Sequence, residues 1–289
     1  MANKLIRRAF IRRSISAAVT LLFGQASLNF LGNYTTMKVR LLRHATLVLE
    51  VNGQKLLIDP MLSKKEALDP VGNAANANRF PLVDLPVSDD ELTKLLKSVD
   101  AVLLTHIHRD HWDIAAQQMI AKDGLVLCQP ADGEKIKTAG FSNVQSIDHE
   151  MIWKGISISR TNGQHGTGEI GKKMGTVSGY VIKFGTERLY VAGDTIWCND
   201  VRDAITKHQP NHIIVNGGGA RFLEGDPITM TINDVITLAK FTPVPVTVVH
   251  LDTVNHCLQR RSDFRQAISA NSLPGRVRVP NDGDWLTLA

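Results

Sequence analysis

Cysteine is scarce in this chain: Cys128, Cys198 and Cys257 are the only three among 289 residues. An odd number in unlike settings supplies no disulfide framework. Cys128 ends an apolar, strand-like run and reads as core, whereas Cys198 and Cys257 follow candidate site residues and read as small packing groups that flank the site. Long apolar runs are missing too. No segment approaches the roughly eighteen uninterrupted apolar residues needed to cross a bilayer, so no transmembrane span is expected. There is no repeat with a period of about 20–50 residues, no low-complexity tract and no linker. No Gly-x-Gly-x-x-Gly follows the first strand, which removes the usual support for dinucleotide binding.

Acidic residues are absent from the first 36 positions, which carry Lys4, Arg7, Arg8, Arg12 and Arg13. Those five charges equal the net charge of +5 for the whole chain, so everything from Met37 onward is near neutral. The body has no basic patch, and no nucleic-acid partner is expected. Residues 1–36 read as a leader: basic residues, then an apolar stretch from Ile15 to Phe23, then small residues around Gly24-Gln25-Ala26. Arg7-Arg8-Ala9-Phe10-Ile11-Arg12 resembles a twin-arginine export signal, which implies a periplasmic protein. An Arg-rich, acid-free start also suits an organellar presequence, and a start at Met37 would give a compact cytoplasmic enzyme. Residues 37–289, within a chain that is 43% hydrophobic and 21% charged, have the composition of one globular domain.

From Val39 onward short β runs alternate with helical stretches. Asn52-Gly53 between Leu47–Val51 and Lys55–Ile58 predicts a hairpin. Ser88-Asp89-Asp90-Glu91 predicts a capping box for a helix ending near Lys97. The stretch from Met61 to Val87 has no periodicity, and a loop so long in a compact domain is more often functional than accidental. Strands are expected at 99–105, 125–128, 155–160, 177–184, 189–192, 213–215 and 246–249. Helices fall between and after them at 114–121, from 132, at 200–207, at 231–241 and from about 259, and closing strands lie at 277–279 and 285–288. Two sheets with helices outside fit this order better than a doubly wound sheet.

The most informative segment is His106-Ile107-His108-Arg109-Asp110-His111, directly after the apolar run Ala101–Thr105. In extended chain His106 and His108 project to one side and can reach one ion. Asp110 and His111, past the turn, can face a second. Imidazole and carboxylate suit Zn²⁺, Mn²⁺ or Fe, and the sequence does not choose among them. Such a centre needs further ligands at strand ends, and His165, Asp194 and His250 stand at three of them. Each alone is more often an ordinary hydrogen-bonded residue; together, after the His cluster, they read as ligands. Gly217-Gly218-Gly219 lacks the Lys-Ser/Thr of a P-loop and reads as a tight substrate-side loop.

The order H-x-H-x-D-H, a later His, an Asp in a Gly-Asp-Thr turn and a last His resembles the metallo-β-lactamase superfamily over nearly all of Val39–Leu288. The resemblance implies an α/β fold, a four-layer αβ/βα sandwich of two mixed sheets with helices outside. It also implies two divalent ions, most simply Zn²⁺: His106, His108 and His165 on the first, Asp110, His111 and His250 on the second, and Asp194 bridging. Asp59 falls on the family's early Asp and is implied to support the site. His44-Ala45-Thr46 and Asn281-Asp282-Gly283-Asp284 resemble the branch containing L-ascorbate-6-phosphate lactonase.

The expected activity is hydrolysis of a lactone or phosphoester in a small polar substrate by a metal-bound hydroxide. Asp110 would accept or orient the proton of the attacking water, and His256 would support a ligand or pass a proton to the leaving group. Arg221 and Arg79 are available for an anionic group, although plain surface charge is the simpler role for both. His44 reads as a hydrogen-bonded residue on the first strand or a border of the cleft, and His149, His208 and His212 as surface or structural. Other superfamily activities compete: iron-dependent oxidation, β-lactam cleavage and RNA hydrolysis. Whether the chain acts as a homo-oligomer is left open.

Overall fold

Apolar residues at alternate or successive positions bring three consecutive strands together at the start of the domain: β1 (Lys38–Arg43), β2 (Thr46–Val51) and β3 (Gln54–Ile58). The computed structural model describes residues 37–288, and the stretch read as a leader with a twin-arginine-like signal lies outside them. The β2–β3 turn is the Asn52-Gly53 hairpin read from sequence, with φ of 51° and 69° at its two central residues. Parallel strands then extend the sheet: β4 (Ala101–Leu103), β5 (Val126–Cys128) and β6 (Val144–Ser146). The C-terminal β14 (Trp285–Thr287) pairs antiparallel with β1 and completes seven strands in the order β14-β1-β2-β3-β4-β5-β6.

The second sheet also has seven strands. β7 (Glu150–Trp153), β8 (Ile156–Asn162), β9 (Ser178–Phe184) and β10 (Glu187–Val191) form an antiparallel run. β11 (His212–Asn216), β12 (Val246–Val249) and β13 (Val277–Arg278) add parallel strands on the far side of β10. Leu49, Leu56 and Leu103 of one sheet bury against Ile158, Tyr180 and Ile182 of the other, forming the core between the two.

Helices cover the outer faces. α1 (Asp89–Lys97), α2 (Ile114–Met119) and α3 (Gly133–Thr138) follow the first sheet, and Leu92, Ala116 and Ile136 bury with Val102 and Val126. α5 (Asn199–His208), α6 (Ile232–Phe241) and α7 (Arg261–Ala270) do the same for the second sheet, through Val201, Leu238 and Phe264 against Tyr190 and Val248. This is the expected four-layer sandwich. The Ser88 capping box is present, with Ser88 Oγ accepting from Glu91 N–H and Glu91 accepting from Ser88 N–H.

Three elements had no sequence expectation: β6, β7 and α4 (Gly168–Met174). β6 is three residues long and largely exposed, and α4 buries none of its residues, so neither carries a periodic apolar signal. The strand read as 99–105 is regular only over Ala101–Leu103. Thr105 is diverted because its N–H and hydroxyl both donate to the Asp59 carboxylate.

The segment from Met61 to Val87 remains without helix or regular strand, as read, but it is firmly held. Leu68 and Phe80 pair through reciprocal backbone hydrogen bonds. The buried Arg43 guanidinium donates to the carbonyls of Met61, Ser63 and Val83, tying both ends of the loop to β1. Burial lowers the Arg43 pKa to about 10, yet it stays charged and satisfied at neutral pH.

Candidate metal centre

Seven predicted ligands leave the ends of different strands on one rim of the sandwich and meet. His106 and the short connection to His111 follow β4, His165 follows β8, Asp194 follows β10 and His250 follows β12. In the Gly193-Asp194 turn a Cβ on Gly193 would stand 2.6 Å from the Ser178 carbonyl oxygen, so this turn requires glycine.

The ligand atoms form overlapping groups whose members lie within 4.8 Å of one another: His106, His108 and His165; His106, His111 and Asp194; and His44, Asp110, His111 and His250. Asp194 stands between the trio and the deeper group. Its Oδ2 lies 3.6 Å from His165 Nε2 and 3.2 Å from His111 Nε2, and its Oδ1 lies 3.4 Å from His250 Nε2. All seven expected residues are therefore brought together.

Neighbours fix how the imidazoles point. His165 Nδ1 donates to the Ile228 carbonyl at 2.8 Å, which leaves the Nε2 lone pair facing inward. His111 Nδ1 is 2.9 Å from Asp59 Oδ2, so Asp59 supports the site, as the family resemblance implied. Asn216 Nδ2 donates to Asp194 Oδ1 at 2.7 Å. Cys257 Sγ lies 3.6 Å from His250 Nδ1, so this cysteine touches a ligand residue, whereas Cys198 sits 3.6 Å from Thr195 Oγ1. His149 is exposed beside Asp148, His208 is half-buried at the end of α5, and His212 is buried with Nε2 2.9 Å from Thr247 Oγ1, all apart from the cluster.

The buried Nε2 atoms of His111 and His250 have no hydrogen-bond partner, although carboxylate oxygens surround them. Buried polar atoms left this way are costly, and several lone-pair donors converging on the same space are the arrangement that divalent cations satisfy. The donor set fits such ions.

The electrostatics divide the centre. Burial, with help from His111 and His108, pushes the His106 pKa well down, and burial also lowers that of His165 despite Asp194. His111 goes the other way: burial opposes protonation, but Asp194, Asp110 and Asp59 outweigh it and raise its pKa to about 10. His250 is likewise raised, against burial, chiefly by Asp194. Burial alone would push the carboxyl pKa values of Asp110 and Asp194 up, yet the surrounding imidazoles hold both well below the usual range.

A cleft of about 190 Å³ opens onto the cluster. His108, Asp110, His165, Asp194 and His256 line its polar side, and Val71, Met174, Phe222 and Ile228 line the rest. His256 is buried, its Nδ1 has no partner, and burial lowers its pKa to about 4. Arg109 is the lining cation, and its guanidinium donates to the Pro70 carbonyl and lies over the Phe80 ring at 4.8 Å.

Arg221 and Arg79 are absent from the cleft lining, in keeping with the simpler of the two roles read for them: Arg221 donates to the Gly225 carbonyl, and Arg79 pairs with Asp69 and caps the carbonyls of Glu66 and Ala67. One sequence reading is corrected here. Gly217-Gly218-Gly219 is a packing element rather than a substrate-side loop. A Cβ on Gly217 would stand 2.6 Å from Val248, and one on Gly218 2.9 Å from the His250 carbonyl. Sequence reasoning also did not place His44 against the cluster. Its Nε2 is 3.2 Å from Asp110 Oδ2 and its ring centroid 3.6 Å from that of His250. The available signal was a histidine directly after the first strand, in the tight turn that precedes Thr46.

Comparison with known proteins agrees with this architecture. Residues 54–250 match the beta-lactamase superfamily domain. The UPF0173 protein YddR of Bacillus subtilis (strain 168) is 36% identical over 256 residues, covering 87% of this chain and 100% of YddR. The crystal structure of a possible metal-dependent hydrolase from Veillonella parvula superposes with a TM-score of 0.83 at 35% identity, over 88% of this chain and 100% of that one. The isothiocyanate hydrolase from Delia radicum gut bacteria superposes with a TM-score of 0.81 at 35% identity, over 86% and 98%. With two sheets of seven strands, helices on their outer faces and a His/Asp cluster at the rim, this chain belongs to the beta-lactamase superfamily and, within it, to the UPF0173 proteins.

Proposed function

We propose that this protein is a metal-dependent hydrolase with a dinuclear centre, acting on a small, neutral, largely apolar electrophile. One observation carries the substrate class. The cleft beside the cluster holds about 190 Å³, is walled by Val71, Met174, Phe222 and Ile228, and has as its lining cation an arginine already engaged by Pro70 and Phe80. A phosphoester would find the metal ions but no free side-chain cation in this cleft to meet its charge. Of the two bonds expected from sequence, we therefore favour the lactone over the phosphoester. An isothiocyanate, R–N=C=S, fits at least as well, and the relative from Delia radicum gut bacteria is named for that reaction.

When bound, the ions would lower the pKa of a water toward about 7 and polarise the attacked group. His106, His108 and His165 would hold one ion, Asp110, His111 and His250 the other, and Asp194 both. Zn²⁺, Mn²⁺ and Fe all suit these donors. Asp110, kept ionised by its imidazole neighbours, accepts or orients the proton that the attacking water gives up. His256 is neutral at pH 7, so it acts as a hydrogen-bond donor toward the heteroatom that gains charge and not as a cationic acid. The apolar wall desolvates the substrate body and leaves its electrophilic carbon facing the polar side.

The test is turnover of a matched panel by metal-quantified protein: a small lactone, allyl isothiocyanate, a nitrophenyl phosphodiester and a β-lactam, with oxygen uptake followed in parallel. The neutral substrates should be turned over at least about tenfold faster than the phosphodiester, a difference of about 1.4 kcal/mol in barrier. Preference for the phosphodiester, or oxygen consumption coupled to turnover, would overturn the reading.

A further inference from the structure

We infer that His44 is a sixth imidazole ligand of the centre and completes the shell of the second ion. This rests on the dinuclear reading above and adds a residue to it. His44 lies in the tight turn between β1 and β2, is buried, and adopts the left-handed conformation with φ of 59°. Its carbonyl accepts the N–H of His250 at 2.9 Å, and His250 has φ of 68°. The two histidines come from different sheets, and this main-chain hydrogen bond brings their rings to 3.6 Å between centroids, tilted by 36° to one another.

The grouping of donor atoms is what points to a shared ion: His44, Asp110, His111 and His250 each offer one atom within 4.8 Å of the others. Three imidazole nitrogens surround the single oxygen Oδ2 of Asp110: His44 Nε2 at 3.2 Å, His250 Nε2 at 3.6 Å and His111 Nε2 at 3.8 Å. Only the His44 nitrogen is within hydrogen-bond reach of this oxygen, so hydrogen bonding to Asp110 does not account for the convergence of all three. Donors held about 2.1 Å from one ion stand about 3.0 Å apart at right angles and about 3.4 Å apart at tetrahedral angles. The His44–Asp110 separation falls between these values. His44 thus occupies the same kind of position around Asp110 as the two histidines already assigned.

The consequence is an unequal pair of shells. The first ion has His106, His108 and His165 with Asp194; the second has His44, Asp110, His111 and His250 with Asp194. Five protein donors exceed the tetrahedral set that zinc favours in closed sites and suit Mn²⁺ or Fe²⁺ better.

The experiment is Co²⁺ titration of the full chain, read by binding stoichiometry and by paramagnetic NMR of the imidazole N–H protons. The unsubstituted protein should bind two Co²⁺ and show hyperfine-shifted signals from six imidazoles. His44→Gln, which keeps a hydrogen-bond donor, should lose one of those signals and weaken the second ion about tenfold or more while the first ion binds as before. Signals from five imidazoles in the unsubstituted protein, or unchanged second-ion affinity in His44→Gln, would overturn the assignment. If His44→Gln fails to fold, the count in the unsubstituted protein decides. Uptake of fewer than two Co²⁺ by the unsubstituted protein would sink the dinuclear reading and His44 with it, a failure separate from loss of the His44 signal alone.

Discussion

His165 lines the cleft and, like His106, has its pKa lowered by burial, whereas the carboxylates around His111 and His250 raise theirs. The fold is the same on both sides, since each group collects residues from strand ends of both sheets. The difference lies in the acids. Asp59, Asp110 and Asp194 crowd the deeper group, while the cleft-side trio meets only Asp194 closely. One half can therefore receive a cation with little proton traffic, and the other must release protons as it fills. A shared rim of the sandwich thus carries a binding half and a charge-compensated half, coupled through one carboxylate.

The contrast can be broken most completely at Asp194. Asp194→Ala removes the group common to both halves, and activity should fall by about a thousandfold or more, equivalent to several kcal/mol, with both ions weakened in a metal-content assay. Breaking the deeper half alone should show in stability. His111→Ala leaves Asp59, Asp110 and Asp194 buried without that imidazole and should destabilise the metal-free protein by about 3–5 kcal/mol in denaturant unfolding, whereas His108→Ala, at the half-buried cleft side, should cost far less. Asp59→Asn keeps the shape but not the charge behind His111, and second-ion affinity should drop about 10–100-fold by competition with a chelator.

Titration sharpens the same comparison. The His111 pKa is raised to about 10 and that of His250 is also raised, so at pH 7 an ion entering the deeper half displaces protons. Second-ion affinity should rise with pH by up to about tenfold per unit for each proton displaced, flattening near pH 10, while first-ion affinity should change much less; isothermal titration in buffers of different ionisation enthalpy reads both. In the metal-free protein the His111 contribution to stability is fully present below about pH 6.5 and is lost as pH rises through about 10. The smallest effect is expected at Cys257, whose sulfur is 3.6 Å from His250 Nδ1. Cys257→Ser should shift second-ion affinity by less than about tenfold and leave the first ion unchanged.

Much of this was legible before any coordinates. The hairpin at Asn52-Gly53, the capping box at Ser88 and the strand Val246–Val249 are local signals, set by turn geometry, helix-end hydrogen bonding and short-range patterning, and each appears where its residues place it. The His106–His111 cluster was readable because its residues are adjacent in sequence and follow an apolar strand. His165, Asp194 and His250 were readable only by analogy, through the superfamily resemblance and their places at strand ends. Arg221 and Arg79 left two roles open in the sequence because a charge in a loop looks the same whether it faces a cleft or caps its own backbone; the second is what they do. The triple glycine misled for a related reason: close packing against Val248 and Phe264 and a tight loop beside a substrate demand the same absence of a Cβ.

Residue order determined which chemistry is available here: histidines and aspartates at strand termini, a near-neutral body from Met37 onward, and alternating elements that close into two sheets. Tertiary structure alone decided how that chemistry is divided. Only the packing of β1 against β2 and of one sheet against the other brings His44 to Asp110, buries Asp59 behind His111 and lines the cleft with Val71, Met174, Phe222 and Ile228. The physical reason is that burial and neighbouring charge, not residue type, set which imidazoles hold protons, and both depend on contacts between segments far apart in the chain.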